Sequence, residues 1–266
     1  MQTEHREKRR IVIKVGTSTL TYETGHLNLR RIESLIRVLS DIKNSGQEII
    51  LVSSGAIGVG VSKLGLPCKP SDTPTKQAAA AVGQCELMYM YDKQFSQYHH
   101  NVSQVLLTRD AIEDDARCQN ARNTLERLLQ LSVIPIINEN DTVAVEEIEF
   151  GDNDTLSAIV AELVSADTLI IMSDIDGFYD RDPRLYPDAK IISRIDVIDD
   201  AVRRAAGGAG SRRGTGGMVT KINAAEIATR CGCDMLIING DDPKRLYDVV
   251  DGKVVGTLFK GVDVHD

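Results

Sequence analysis

Long apolar runs recur along the chain and alternate with helical stripes, and this alternation limits the folds open to it. The first run, residues 11–20 (IVIKVGTSTL), sets Ile11, Val12, Ile13 and Val15 around one lysine and breaks at Gly16 into Thr17-Ser18-Thr19. Further apolar runs at 48–53, 102–108, 133–138, 168–172, 235–238 and 253–259 read as strands. Between them, Leu29, Ile32, Leu35, Ile36, Leu39 and Ile42 mark a helix stopped by Gly46. An Ala-rich helix spans about 76–97 after a loop at 67–74, and another covers about 117–131. Leu156, Ile159, Val160, Leu163 and Val164 recur at helical spacing, and a closing helix begins near Met218. Val143-Ala144-Val145 and Ile148-Glu149-Phe150 read as a small hairpin turning at Glu146-Glu147, and 174–217 as a polar insertion. Strands this apolar, separated by helices, belong to a parallel sheet covered on both faces. The expected class is therefore α/β, a three-layer αβα sandwich around a mostly parallel sheet. No repeat or low-complexity linker divides the chain, so 11–260 is expected to form one domain behind a charged tail at 1–10.

Aromatics make up 4% of the 266 residues and Trp is missing, so the core must rest on Ile, Val, Leu and Ala. A net charge of −8 argues against a nucleic-acid surface. No apolar run approaches membrane-spanning length, and the charged tail lacks the apolar segment of a signal peptide. A soluble, cytoplasmic protein is expected. The five cysteines form no CxxC pair and no metal-ligand spacing, and are read as small buried hydrophobes in a reducing compartment.

Lys14 falls at the carboxyl end of a strand too apolar for a sheet edge. Ligands bind at that end of open α/β sheets, and an ammonium there calls for an anion unless it snorkels out to water. Ser53-Ser54-Gly55-Ala56 follows the second strand directly, a turn that suits an anion, a helix cap or both. Asn138-Glu139-Asn140-Asp141-Thr142 follows the fourth strand. Its carboxylates suit an α-amino group and its amides a carboxylate, while an Asx turn into the hairpin is the simpler use. Gly151-Asp152-Asn153-Asp154 opens the next helix with more acid than a cap requires, to orient lysines or lie near a metal. The carboxylate-rich stretch from Ser173-Asp174 to Asp182-Pro183 lacks EF-hand spacing, and Asp180 and Asp182 read as solvated turn residues. Gly214-Thr215-Gly216-Gly217-Met218-Val219-Thr220-Lys221 joins a glycine loop, a helix start and a lysine, a combination that can cradle phosphates. Its spacing is neither Walker A nor GxGxxG.

In this order, KVGTSTL, VSSGAIGVG, NENDTV, GDND, SDIDGFYDRDP and GTGGMVTK resemble the glutamate 5-kinases of the amino acid kinase family, from Ile11 to about Phe259. GTGGM and the DGFY-type loop are shared with uridylate kinases and other relatives, whereas KVGTSTL, SSGAIGVG and NENDTV are specific to the glutamate enzymes. The resemblance implies an amino acid kinase-like fold and transfer of phosphate from ATP, with Mg2+, to the γ-carboxylate of L-glutamate, the first step toward proline. It implies catalytic roles for Lys14 and Lys221 on the transferring phosphoryl group, with Asp154 holding the two lysines. It places Ser54, Asp141 and Asn153, with Asn138 as a further candidate, on glutamate. Ser173, Asp174, Thr215, Gly216, Gly217, Met218, Val219 and Thr220, with both lysines, are assigned to the nucleotide. Glutamate is expected mainly on 11–165 and nucleotide mainly on 166–260. No protein metal site is expected, the magnesium being held by ATP oxygens. Feedback inhibition by L-proline, a homo-oligomer (dimer or tetramer) and coupling to a glutamyl phosphate reductase are further implications. Many members carry a C-terminal RNA-modification-type (PUA) module, which a chain stopping soon after Phe259 is expected to lack. An acetylglutamate or uridylate kinase would keep GTGGM without NENDTV. A non-catalytic amino-acid sensor would be expected to lose Lys14, Lys221 or Asp154, and all three are present.

Overall fold

The computed structural model describes residues 8–22, 24–143, 153–207, 217–253 and 255–262. Among them the elements run β1 (Arg10–Val15), α1 (Thr17–Leu20), α2 (Leu29–Asn44), β2 (Glu48–Val52), α3 (Ala56–Lys63), α4 (Thr73–Ser96), β3 (Val102–Leu107), α5 (Arg109–Glu113) and α6 (Asp115–Gln130). The chain continues through β4 (Ile134–Glu139), α7 (Asn153–Leu163), β5 (Thr168–Ser173), β6 (Arg194–Ile195), α8 (Asp200–Ala206), α9 (Met218–Arg230), β7 (Asp234–Asn239), α10 (Arg245–Val250) and β8 (Thr257–Phe259). The strands make one sheet in the order β3-β4-β2-β1-β5-β7-β8-β6. Its described pairings are parallel except β7 with β8. β1 lies between β2 and β5, with Lys14 beside Val52 and Ile171.

Strand alternation sorts the core into two layers. Val12, Ile50, Val52, Leu169, Ile171, Met235 and Ile237 face α6, α7 and α9. Ile11, Ile13, Ile49, Leu51, Ile170, Met172 and Ile238 face α2, α3, α4 and α10. The expected three-layer sandwich is thus the observed one.

Beyond the helix cap that the turn at 53–56 suggests, the extent of α3 is poorly marked in the sequence, because AIGVGVSK carries two glycines in eight residues, poor helix formers on propensity. Packing against α4 overrides that cost. A Cβ on Gly60 would lie 1.8 Å from the Ala79 carbonyl oxygen, and one on Gly83 would lie 1.8 Å from that of Ala56. These glycines let the two backbones touch. Gly83→Ala is therefore expected to destabilise the fold by about 3 kcal/mol or more, read as a lower urea midpoint. An unchanged midpoint would contradict so close a crossing.

Other boundaries move for local reasons. α4 starts at Thr73, ahead of the expected 76, because Asp72 accepts the Thr75 N–H and Pro74 fits the first turn. The last strand is confined to Thr257–Phe259 instead of running from 253, and the polar insertion holds β6 and α8. The cysteine expectation is corrected: Cys68 and Cys85 are exposed, Cys118 and Cys231 half-buried, and Cys233 alone is buried. Both exposed thiols lie on the α3–α4 connection and on α4, which offers a solvent face between its packed residues. The 143–150 hairpin, beyond Val143, lies outside the described residues, as do Thr215 and Gly216. No described helix is long and apolar enough to cross a membrane.

Candidate active site

Strand phase decides where Lys14 goes. It shares the face of Val12, so its side chain turns toward α7 and α9. Those two helices pack against each other. Asp154 is the second residue of α7, at the end where a negative charge is favoured, and Lys221 is the fourth residue of α9. Asp154 Oδ1 lies 2.7 Å from Lys14 Nζ, and Oδ2 lies 2.9 Å from Lys221 Nζ. All three are buried, at 0%, 9% and 5% exposure. Burial pushes the Asp154 carboxyl up, but the two ammoniums outweigh it and hold the group below the usual carboxylate range. The cluster carries one excess positive charge in a nearly dry place, which an incoming anion would balance. The Thr220 hydroxyl sits 2.7 Å from the Gly217 carbonyl oxygen and 3.1 Å from Asp154 Oδ2, joining the glycine loop to the cluster.

The residue beside Asp154 starts a second cluster. Asn153 Nδ2 lies 2.7 Å from the Ser53 carbonyl oxygen, 2.8 Å from Ser54 Oγ and 2.9 Å from Asn138 Oδ1. Ser53 and Ser54 follow β2 and Asn138 is the penultimate residue of β4, so parallel strands deliver all of them to one edge of the sheet. Gly55, at φ +95°, turns the chain from β2 into α3 where a side chain would be strained. A Cβ there would stand 3.3 Å from Thr17 Cγ2, so the first and second strand-end turns are in contact. Asp141 lies in the turn beyond β4, half-buried. Two residues that the sequence reading passed over reach this cluster from α4. Gln84 Oε1 accepts from Asn138 Nδ2 at 3.0 Å, and the Tyr91 hydroxyl pairs with Ser53 Oγ at 2.9 Å. Burial pushes the Tyr91 phenol well above its ordinary value against the opposing effect of Ser53, so it stays neutral. A polar residue on the buried side of an Ala-rich helix was the signal that could have found Gln84.

At the carboxyl end of β5, beside the start of α9, lies a cleft of about 430 Å³. Ser173, Asp174, Gly217, Met218 and Lys221 line it, as does Tyr179 from the insertion. Ser173 donates to Asp174 Oδ1 at 3.0 Å, and Asn239 Nδ2 donates to Asp176 Oδ1 at 2.9 Å. Val219 does not line the cleft and is 40% exposed. Asp180 is exposed and accepts the Lys190 N–H, while Asp182 accepts from Arg184, in keeping with turn roles. The described residues hold no group of three His, Cys, Asp or Glu able to bind a metal. Both Asp154 oxygens face lysines.

Residues 9–239 match the model of the amino acid kinase family. The chain is 56% identical over 263 residues to the glutamate 5-kinase of Clostridium perfringens, covering 97% of this chain and 98% of that one. It is 54% identical to the glutamate 5-kinase of Listeria innocua, covering 97% and 95%. Among solved structures, the carbamate kinase of Giardia lamblia bound to AMP-PNP superposes with a TM-score of 0.67 at 16% identity, covering 96% and 99%. The T. acidophilum isopentenyl phosphate kinase product complex gives 0.65 at 19% identity, covering 94% and 100%. At such identities the two structures speak for the fold alone.

Proposed function

We propose that this chain, which belongs to the amino acid kinase family and to its glutamate 5-kinase branch, transfers the γ-phosphoryl group of ATP to the γ-carboxylate of L-glutamate. The observation that carries the proposal is the buried Lys14–Asp154–Lys221 cluster, next in the chain to the Asn153 amide cluster and opening through Lys221 on the cleft. A γ-carboxylate with a pKa near 4.3 is already ionised at neutral pH, so no general base is needed. One of its oxygens attacks the γ-phosphorus as the bond to the β,γ-bridging oxygen breaks, leaving γ-glutamyl phosphate and ADP. The obstacle is bringing an anion onto a polyanion, and the protein's contribution is position and positive charge. Lys14 and Lys221 supply that charge to the transferring oxygens, and Asp154 keeps both ammoniums in place. Ser54, Asn138, Asp141 and Asn153 hold glutamate over β2 and β4. Ser173, Asp174 and the 215–221 segment hold the nucleotide over β5 and β7. Mg2+ arriving with the nucleotide would supply further charge neutralisation. The product is a mixed anhydride that water attacks readily, which favours immediate use by a glutamyl phosphate reductase.

Hydroxylamine trapping tests the activity. With ATP, magnesium and L-glutamate, γ-glutamyl hydroxamate should accumulate, and its absence with ATP turnover intact would remove glutamate as the acceptor. Asp141→Asn is expected to raise KM for glutamate by about tenfold or more, through a lost charge-assisted contact to the substrate ammonium, and to leave KM for ATP nearly unchanged. A rise in the ATP value instead would assign this loop to the wrong ligand. L-Proline carries the same α-carboxylate and α-ammonium without a γ-carboxylate, so it is expected to compete with glutamate at these residues. Glutamate KM that stays constant as proline rises would exclude a shared site.

A further inference from the structure

Two backbone groups set the polarity of the amide cluster. The Glu139 N–H donates to Asn138 Oδ1 at 2.9 Å, so Asn138 turns its Nδ2 the other way, where Gln84 Oε1 accepts at 3.0 Å. The Ser53 carbonyl oxygen accepts from Asn153 at 2.7 Å, so it is Nδ2 of Asn153 that faces Ser53, Ser54 and Asn138. The donors therefore run in one sense, from Asn153 to Asn138 to Gln84, and end on the Gln84 carbonyl oxygen. With Nδ2 of Asn153 committed inside the cluster, its Oδ1 is the atom left to a ligand, an acceptor suited to an ammonium.

Gln84 is 9% exposed and sits on α4 one residue after Gly83, whose missing side chain lets α4 lie against α3. Seven residues on, close to two turns, Tyr91 pairs with Ser53. One face of α4 thus holds both sides of the cluster, Asn138 through Gln84 and Ser53 through Tyr91. We infer that Gln84 is a positioning residue for amino-acid recognition: by accepting from Asn138 it fixes both amides in the sense that offers an acceptor to the substrate ammonium. This rests on the reading that Asn138 and Asn153 receive glutamate. Without that acceptor, Asn138 Nδ2 is left buried and unpaired, and the Asn138 amide is driven to turn over against the Glu139 N–H and Asn153.

A mutant cycle on the full chain tests it, using Gln84→Met, Asn138→Ala and the double variant, with KM for L-glutamate and for ATP as readouts. Asn138→Ala reports on the site itself: an unchanged glutamate KM there would overturn the glutamate reading of the cluster. Given a raised value there, Gln84→Met is expected to raise glutamate KM by about tenfold and to leave ATP KM within about twofold. Gln84→Glu, which keeps an acceptor, should restore most of the affinity. In the Asn138→Ala background the Gln84→Met effect should vanish, because the two act through one bond. Gln84→Asn, which withdraws the acceptor by one methylene, carries the same test if Gln84→Met does not fold. An unchanged glutamate KM, an equal rise for both substrates, or an effect that persists without Asn138 would overturn the positioning role.

Discussion

Asp154→Asn is expected to destabilise the protein by about 3–5 kcal/mol and to lower kcat by ~10²-fold or more. The asparagine keeps the shape and removes the charge, so Lys14 and Lys221 both lose the carboxylate that each contacts. Both consequences follow from the same contact. The ammoniums lose the group that holds them, and two like charges are forced into one poorly solvated place. Thermal or urea unfolding reads the first effect and steady-state turnover the second. The effect on stability also depends on pH. In the folded state the Asp154 carboxyl is held below its ordinary value of 3.8. Its contribution is therefore fully present above that value and is lost as pH falls through the lower, folded one. The stability gap between wild type and Asp154→Asn should accordingly be constant at neutral pH and shrink on acidification below about pH 4. A gap that widens in acid, or no gap at all, would contradict the ion cluster.

Lys14→Met and Lys221→Met are each expected to reduce kcat by ~10²-fold or more, because in the proposed mechanism each supplies charge to the transferring oxygens, a contribution of roughly 3 kcal/mol. Their folding cost should be much smaller than that of Asp154→Asn. One carboxylate contacts both lysines, so losing one lysine leaves the other ion pair in place, and losing the carboxylate charge removes both contacts at once. The three variants should therefore separate activity from stability: all three poor catalysts, with only the aspartate variant strongly destabilised. Near-native kcat in either lysine variant would remove that lysine from the mechanism. Equal destabilisation in all three would mean that the cluster is held by packing and not by its charge balance.

Much of this arrangement was legible before any coordinates. The run around Lys14 is so apolar that only a central strand could bury it, and β1 is central, between β2 and β5. Strand phase then turns Lys14 to the layer that contains α7 and α9, and the acidic start of one and the lysine in the other meet it there. The polar turns after the second and fourth strands converge for the same reason, since parallel neighbours end at one edge of the sheet. What escaped reading depends on contacts between distant parts of the chain. The glycines of α3 argue against a helix until α4 is seen to pack on Gly60. Gln84 looks like one polar residue in an alanine helix until Asn138 is placed 3.0 Å away. The short β8 pairs antiparallel with β7, which its apolar run could not foretell. Thr220 was assigned to the nucleotide by resemblance, and its hydroxyl also stands beside Asp154, a proximity invisible along the chain.

In the proposed mechanism a substrate carboxylate, unaided by a base, is the nucleophile toward the γ-phosphorus over the Lys14–Asp154–Lys221 cluster. Oxygen tracing tests it most directly. L-Glutamate labelled with ¹⁸O in its γ-carboxylate would be incubated with ATP and magnesium, and the product trapped with hydroxylamine, which attacks the carbonyl carbon and expels phosphate. If the carboxylate oxygen bonded to phosphorus, the released phosphate carries one ¹⁸O, visible as an upfield shift of its ³¹P resonance. Unlabelled phosphate would mean that the γ-phosphoryl group went to water or another acceptor, and would contradict the account.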